Sequence, residues 1–267
     1  MILHTFSTLG CPEMDLDGAI GLAARHGLHN LELRTLRNTN DLPAWFEEHY
    51  GEPEGLAAHL KRRRIKICVL DTSFRLIGAN DIDRAELARF VRWADGADVP
   101  WLRVLDGGRT GDEAEAKEAA ETLQWWRDLR IKNNWAVDLM VETHDGFVTA
   151  DSLQRLIAHA PRVCLLWDAH HTWKRGGEPP TKTWKTARNH IVHLHVKDSV
   201  SRPTPDGSHP YTYVLPGDGE FPMAELRQCL QADKYNGVIS LEWERMWHPY
   251  LPELDKALHH AAQLRWW

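Results

Sequence analysis

Eight short β-forming runs recur along the chain, at 2–6, 29–34, 65–70, 101–105, 137–142, 163–168, 191–197 and 238–243, and most of the intervals between them carry helical patterning. In 15–26, apolar residues recur three and four apart before Gly27 offers a stop. The stretch 112–131 is rich in Ala, Glu, Leu and Lys, Thr149 is placed to cap 150–159, and 222–233 and 252–264 complete the set. Strands that alternate with helices pair in parallel, and eight of them close most economically into one (β/α)₈ barrel spanning residues 1–267. An open doubly wound sheet shares the alternation, but no Gly-x-Gly-x-x-Gly turn follows the first strand. Residues 38–61 are expected to hold two short helices broken at Pro53-Glu-Gly55. The Gly-, Pro- and polar-rich stretches 171–185 and 199–222 are expected to be rim loops that wall or cover a site at the C-terminal ends of the strands.

Bulk properties narrow the setting. A chain of 267 residues can bury a sizeable core, and a net charge of −6 argues against nucleic acid as the main partner. Cys11, Cys68, Cys164 and Cys229 form no Cys-x-x-Cys pair, so neither a disulfide framework nor a cysteine zinc site is indicated. No apolar run approaches the ~18 residues of a membrane span, and the N-terminus lacks a signal-peptide pattern. The expectation is a cytoplasmic protein with a small-molecule substrate and no membrane partner; the terminal Trp266-Trp267 pair could pack across a homo-oligomer. Of the 13 tryptophans, Trp167, Trp173, Trp184, Trp243 and Trp247 lie in or just after strand-like segments, where core packing and a role at a site are both open.

The chemistry-bearing residues gather at one end of successive strands. Side chains alternate faces along a strand, so Asp138, Met140 and Glu142 share one face and Val137, Leu139 and Val141 the other. The same parity groups Cys164, Leu166 and Asp168, then His193, His195 and Lys197, and then Ser240, Glu242 and Glu244. In a barrel the apolar face packs on the helices, which leaves Glu142, Asp168, His195 and Glu242 converging near the axis. Three carboxylates beside an imidazole repel one another unless a cation sits among them. A mostly oxygen donor set with one histidine suits Mn²⁺ first, with Mg²⁺, Co²⁺ or Zn²⁺ as alternatives. His193 is expected to be a satisfied interior group supporting His195, and Glu32 and Arg34, on one face of the second strand, a structural pair.

In these motifs the chain resembles the sugar phosphate isomerase/epimerase superfamily of xylose-isomerase-like TIM barrels, which includes tagatose and psicose epimerases, hydroxypyruvate isomerase and inosose dehydratase. Glu142 is similar to the family's strand-end glutamate, Asp168 with His171 to its Asp-x-x-His, His195 in His-x-His-x-Lys-Asp to its metal histidine, and Glu242 in Gly-Val-Ile-Ser-Leu-Glu to its last glutamate. Pro216-Gly-Asp-Gly-Glu220 resembles the Gly-x-Gly turn between the last two of these elements. The resemblance implies that Glu142 and Glu242 bind metal and also move protons, while Asp168 and His195 mainly hold the ion. It also implies that His171 meets a substrate hydroxyl or carbonyl. The more distant DNA-repair branch, endonuclease IV, adds an Asp-x-His that Asp206-Gly-Ser-His209 does not match, and His4, His26, His29 and His59 offer no replacement for its early ligands.

These residues suit a metal-dependent isomerase or epimerase working through an enediolate on a keto-sugar or polyol. A dehydratase or other lyase, including one that cleaves an oxidised glycoside, starts from the same proton abstraction. A catalytically silent sugar-binding barrel is the alternative from outside enzymology, although a binding module has no need for four converging metal-ligand types. Lys197 could steady an enediolate or grip a carboxylate substrate, or pair with Asp198 or Glu244. For Glu244, Lys197, Arg245 and Lys174 are all candidate partners. Trp167, Trp173, Trp184 and Trp247 could supply sugar platforms, and with no arginine pair apparent the substrate is expected to be non-phosphorylated.

Overall fold

The structure, a computed structural model, describes residues 2–204 and 207–267, so Asp206 of the Asp-Gly-Ser-His motif lies outside the described residues. The chain runs through β1 (Leu3–Phe6), α1 (Leu16–Arg25), β2 (Asn30–Leu33), α2 (Leu42–Tyr50), α3 (Pro53–Arg63), β3 (Lys66–Arg75), α4 (Asp81–Gly96), β4 (Trp101–Leu105) and α5 (Glu113–Asn133). It continues through β5 (Asp138–Glu142), α6 (Ala150–His159), β6 (Leu165–Asp168), α7 (Ala169–Lys174), α8 (Pro180–Ala187), β7 (Ile191–Val196), β8 (Asp198–Val200), β9 (Thr212–Val214), α9 (Met223–Ala232), β10 (Val238–Leu241) and α10 (Leu254–Leu264). Eight of the strands form one parallel sheet in the order β1-β10-β7-β6-β5-β4-β3-β2, and a parallel bridge from Ser7 to Glu32 brings β1 back to β2. The result is a single (β/α)₈ barrel.

Alternation along the strands divides the interior in two. Outward residues such as Leu31, Leu33, Leu102, Val104, Leu139, Val141, Leu194, Val196, Ile239 and Leu241 join the helices in one large apolar cluster. Each such side chain contributes about 1.5–3 kcal/mol on full burial, and this layer supplies most of the driving force. A separate small cluster of Cys68, Val69, Met140 and Leu166 fills the barrel interior, with the polar site nearer the strands' C-terminal ends. The helix starts follow local chemistry: Thr149 caps α6 through the amide of Ser152 at 3.2 Å, and Asn80 with Asp83 forms a reciprocal capping box on α4. Among the described residues, no helix is long and apolar enough to cross a membrane.

Three segments differ from the reading of the sequence. The sequence reading does not include α4, although Leu87, Phe90, Val91, Trp93 and Ala94 recur at helical spacing and bury a full stripe. The two short helices expected over 38–61 are present as α2 and α3, but the break falls at Gly51-Glu52 and Pro53 begins α3, since a proline at the first helical position lacks only an N–H that would be unbonded there anyway. The stretch 171–185, expected as a loop, falls largely within α7 and α8, with only the Gly176-Gly177 turn and its flanks between them.

The segment 199–222 carries the antiparallel β8–β9 hairpin and a turn collared by one buried carboxylate. Asp198 accepts backbone N–H bonds from Ser199 (2.9 Å), Gly217 (2.8 Å), Gly219 (3.0 Å) and Phe221 (3.0 Å). Glycine is required in this turn: Gly217 has φ +97, and a Cβ on Gly219 would collide with the Asp198 carboxylate. Replacing Asp198 with Ala strands four donors at once and is expected to lower the unfolding free energy by about 3 kcal/mol. Urea denaturation measures this, and a loss below about 1 kcal/mol would show that the collar does not hold the turn.

Candidate metal centre and its cavity

Parallel strands bring their C-terminal ends to one rim, and four ligand-capable residues, three carboxylates and one imidazole, meet there. Glu142 closes β5, Asp168 closes β6, His195 lies in β7 and Glu242 follows β10. All four are buried, and one ligand-type atom from each lies within 4.8 Å of those of the others. Asp168 is held by its own helix: its Oδ1 accepts from the His171 amide of α7 at 2.8 Å, which turns Oδ2 toward the cluster. His195 Nδ1 sits 3.3 Å from Glu242 and 3.7 Å from Glu142 and, among the described residues, makes no well-aligned hydrogen bond. Buried polar atoms seldom go unbonded, and three carboxylates with one imidazole nitrogen are a donor set suited to a hard or borderline divalent cation. The residues present therefore fit such an ion.

Glu32 orients the histidine. It does not pair with Arg34, as its position on β2 suggested, but accepts from His193 Nε2 at 2.7 Å and His195 Nε2 at 2.9 Å. Using Nε2–H for Glu32 leaves Nδ1 of His195 facing the three carboxylates, so the carboxylate selects which nitrogen is presented. Burial by itself would push the Glu32 carboxyl up, but the His195 charge and the two histidine hydrogen bonds hold it well below the usual carboxylate range. His195 moves the other way: burial opposes its charge, and Glu242 and Glu32 outweigh burial and raise it well above the ordinary imidazole value. A cation binding at Nδ1 therefore competes with a proton.

Lys197 forms a second, fixed positive charge. Its ammonium lies 2.8 Å from Asp168 and 2.6 Å from Glu244 and also contacts Glu242, while Asp198 is occupied by the turn. Glu244 is further held by the Tyr213 hydroxyl at 2.9 Å, whereas Arg245 pairs with Glu13 and Lys174 with Glu220. Burial and the Glu242 and Glu142 charges push Asp168 up to about 7 against the pull of Lys197. His171 lines the cavity, and its Nε2 is 3.4 Å from the Lys197 ammonium. Burial, with Lys197 and His144 adding to it, keeps its imidazole well below the ordinary value, and so neutral. His170 turns away and meets Ser199 at 2.8 Å among Tyr211, Tyr213 and Trp173.

The cluster opens into a cavity of about 210 Å³ whose walls include Arg34, Arg103, His144, His171, Glu244 and Trp247. This is below the ~300–1,000 Å³ of sites for drug-sized ligands and suits a small polar molecule. Of the tryptophans weighed as sugar platforms, only Trp247 lines the cavity, and it is 52% exposed. Trp167 packs on Trp184, Trp173 on His170 and Phe221, and Trp184 bonds Asp233. Reading the sequence missed Arg103, Asp71 and His144. An arginine inside the apolar run Trp-Leu-Arg-Val-Leu, and a histidine two positions past Glu142 with the same parity, were the available signals. His144 is placed by Asp106, which accepts from the amides of Gly108, His144, Asp145 and Gly146 and ties together the loops after β4 and β5.

Comparison with known proteins agrees with this architecture. The family-level sequence pattern of the xylose isomerase-like TIM barrel matches residues 20–266. Similar solved structures include the probable 3-DHS dehydratase AsbF of Bacillus anthracis, at 17% identity and TM-score 0.78, covering 98% of this chain and 99% of that one. The IOLI protein with a binding zinc atom is 18% identical with TM-score 0.76, covering 99% and 96%. A D-psicose 3-epimerase with D-tagatose, from Clostridium cellulolyticum H10, is 17% identical with TM-score 0.70, covering 98% of each chain. At these identities the likeness is one of fold. No curated protein matches the chain significantly in sequence.

The support given by Glu32 is open to test. In Glu32→Gln the amide NH₂ must face one of the two histidine nitrogens, which forces a tautomer change or breaks a bond. Affinity for Mn²⁺ or Zn²⁺, measured by competition with a chromogenic chelator, is expected to fall about 10–100-fold with the fold intact. Unchanged affinity would mean that Glu32 does not govern His195.

Proposed function

The chain belongs to the xylose isomerase-like TIM-barrel family, and from that premise we propose that its rim cavity is the active site of a divalent-metal-dependent isomerase or epimerase of small keto-sugar or polyol-like substrates. The observation that carries this reading is the convergence of Glu142, Asp168, His195 and Glu242 on one buried point at the floor of a small polar cavity. These four hold the ion, with Mn²⁺ first and Mg²⁺, Co²⁺ or Zn²⁺ as alternatives. Bound there, a divalent cation supplies positive charge beside a carbonyl oxygen, which makes the adjoining C–H acidic.

The remaining chemistry falls to the chain's own groups. Burial opposes ionisation of Glu242, yet the charges of His195 and Lys197 hold it well below the usual range, so it is a carboxylate able to accept a proton. Glu142, on a separate strand and itself ionised, takes up a proton from a substrate hydroxyl or from solvent before delivering one to the neighbouring carbon or to the opposite face, and Glu242 releases the proton it took. Lys197 steadies negative charge as the enediolate forms, and His171 directs a substrate oxygen. One further observation favours a lyase as the second reading. Tyr213 and Glu244 form a hydroxyl–carboxylate pair beside Lys197, which could deliver a proton to a departing β-oxygen, and a dehydratase is among the structures similar in fold.

The test combines metal content with exchange. Gently purified protein is expected to carry about one Mn, Co, Mg or Zn per chain by elemental mass spectrometry, lost in folded Asp168→Ala and His195→Ala. Metal absent even after reconstitution would overturn the proposal. On a substrate found by deuterium exchange from solvent, Glu242→Gln is expected to lose about a hundredfold or more in exchange. Lys197→Met should keep its metal, since removing a neighbouring cation does not weaken cation binding, while losing turnover. Full turnover in Glu242→Gln, or loss of metal in Lys197→Met, would refute these roles.

A further inference from the structure

Arg34 lines the cavity and, among the described residues, makes no direct ion pair with a carboxylate. It follows β2, its amide is pinned to Thr8 Oγ1 at 2.9 Å, and its side chain is 9% exposed. Its guanidinium donates to the Asp71 carbonyl at 3.3 Å and to Ser73 Oγ at 3.0 Å, both neutral acceptors. Among the described residues, no carboxylate pairs with it within 4 Å, and the Asp71, Glu142 and Glu242 charges reach it from farther away. Its neighbour on the cavity wall, Arg103, is instead engaged by Asp71 at 3.5 Å, by Glu142 at 3.3 Å and by the Thr72 carbonyl at 3.0 Å.

This arrangement is costly for the apoprotein. Burial, reinforced by the Arg103 charge, pulls Arg34 down to about 10 although the Asp71, Glu142 and Glu242 charges act the other way, and it remains a cation at neutral pH. A buried charge with no directly bonded counter-charge is only partly compensated, and two neutral hydrogen bonds could be made by an uncharged side chain of similar length. Arginine has five N–H donors in a planar fork, and only two bonds are spent here. No arginine pair is apparent in the sequence because Arg34 and Arg103 belong to different strands, and only the folded barrel sets both on the wall of one cavity.

We propose that Arg34, with Arg103 beside it, is an anion subsite, and that the substrate of this cavity carries a carboxylate or phosphate that takes the free side of the Arg34 fork. The inference rests on reading this cavity as the substrate site. It narrows the substrate class from neutral keto-sugars to acidic ones such as keto or hydroxy sugar acids or sugar phosphates, and it places the anion on the wall formed by β2 and β4. The reacting carbons then lie toward Glu142 and Glu242.

Isothermal titration of a matched panel tests this: neutral hexoses, their uronic acids and their 6-phosphates, against wild type, Arg34→Met and Arg34→Lys, with metal content measured on the same samples. At least one acidic ligand is expected to bind wild type about tenfold or more tighter than its neutral counterpart. That preference should vanish in Arg34→Met and return in part in Arg34→Lys, which keeps the charge without the fork. Whether the uronic acid or the phosphate gains most identifies the anion. Acids binding no tighter than neutral sugars, or a preference that survives Arg34→Met, would overturn the inference even if the metal is present. Loss of metal with the Arg34-dependent preference intact would instead remove the metal mechanism and leave the anion subsite standing.

Discussion

Electrostatic compensation inside the barrel is the constraint around which the upper half of this protein is built. Glu32, Asp71, Glu142, Asp168 and Glu242 are all buried, and carboxylates at such sites are unstable unless each has a cation or a set of donors. Lys197 answers Asp168, Glu242 and Glu244; Arg103 answers Asp71 and Glu142; the two histidines of β7 answer Glu32. These pairings fix side chains that long flexible stems would otherwise leave mobile. They also explain why the centre is suited to a cation: His195 presents its Nδ1 to Glu142 and Glu242 because Glu32 has taken the other nitrogen.

Rigidity at the rim is supplied by the same device. Asp198 and Asp106 are buried carboxylates that collect backbone N–H groups instead of cations, and each thereby ties down a loop that follows a strand. Such collars let irregular backbone stand at the mouth of the cavity without orphaned amides. The His171 amide bond to Asp168 does this on a smaller scale, so one carboxylate both starts α7 and faces Glu142, His195 and Glu242.

Much of the fold and part of the site could be read before any coordinates. The alternation of strand-like and helical segments anticipated the closed barrel, and parity along 137–142, 163–168, 191–197 and 238–243 placed Glu142, Asp168, His195 and Glu242 on one side, where they do converge. The misreadings share a cause. A shared strand face points Glu32 to Arg34, whereas its partners are more than 150 residues away in sequence, on β7, three strands round the barrel. Trp167 and Trp184 were open as platforms because local sequence does not say which tryptophan the helices will cover.

By itself the sequence determined the periodicities, and with them the closed parallel barrel, the rim at which chemistry would gather and the types of ligand available there. Those follow from the two-residue repeat of a strand and the 3.6-residue repeat of a helix, which are local. Only the tertiary structure decided the pairings: His193 and His195 on Glu32, Lys197 among three carboxylates, and Arg34 on the cavity wall with Arg103 and, among the described residues, without a direct carboxylate partner. Those depend on which side chains from distant strands reach the same few ångströms, and on the cost of each buried charge that fails to find a partner there.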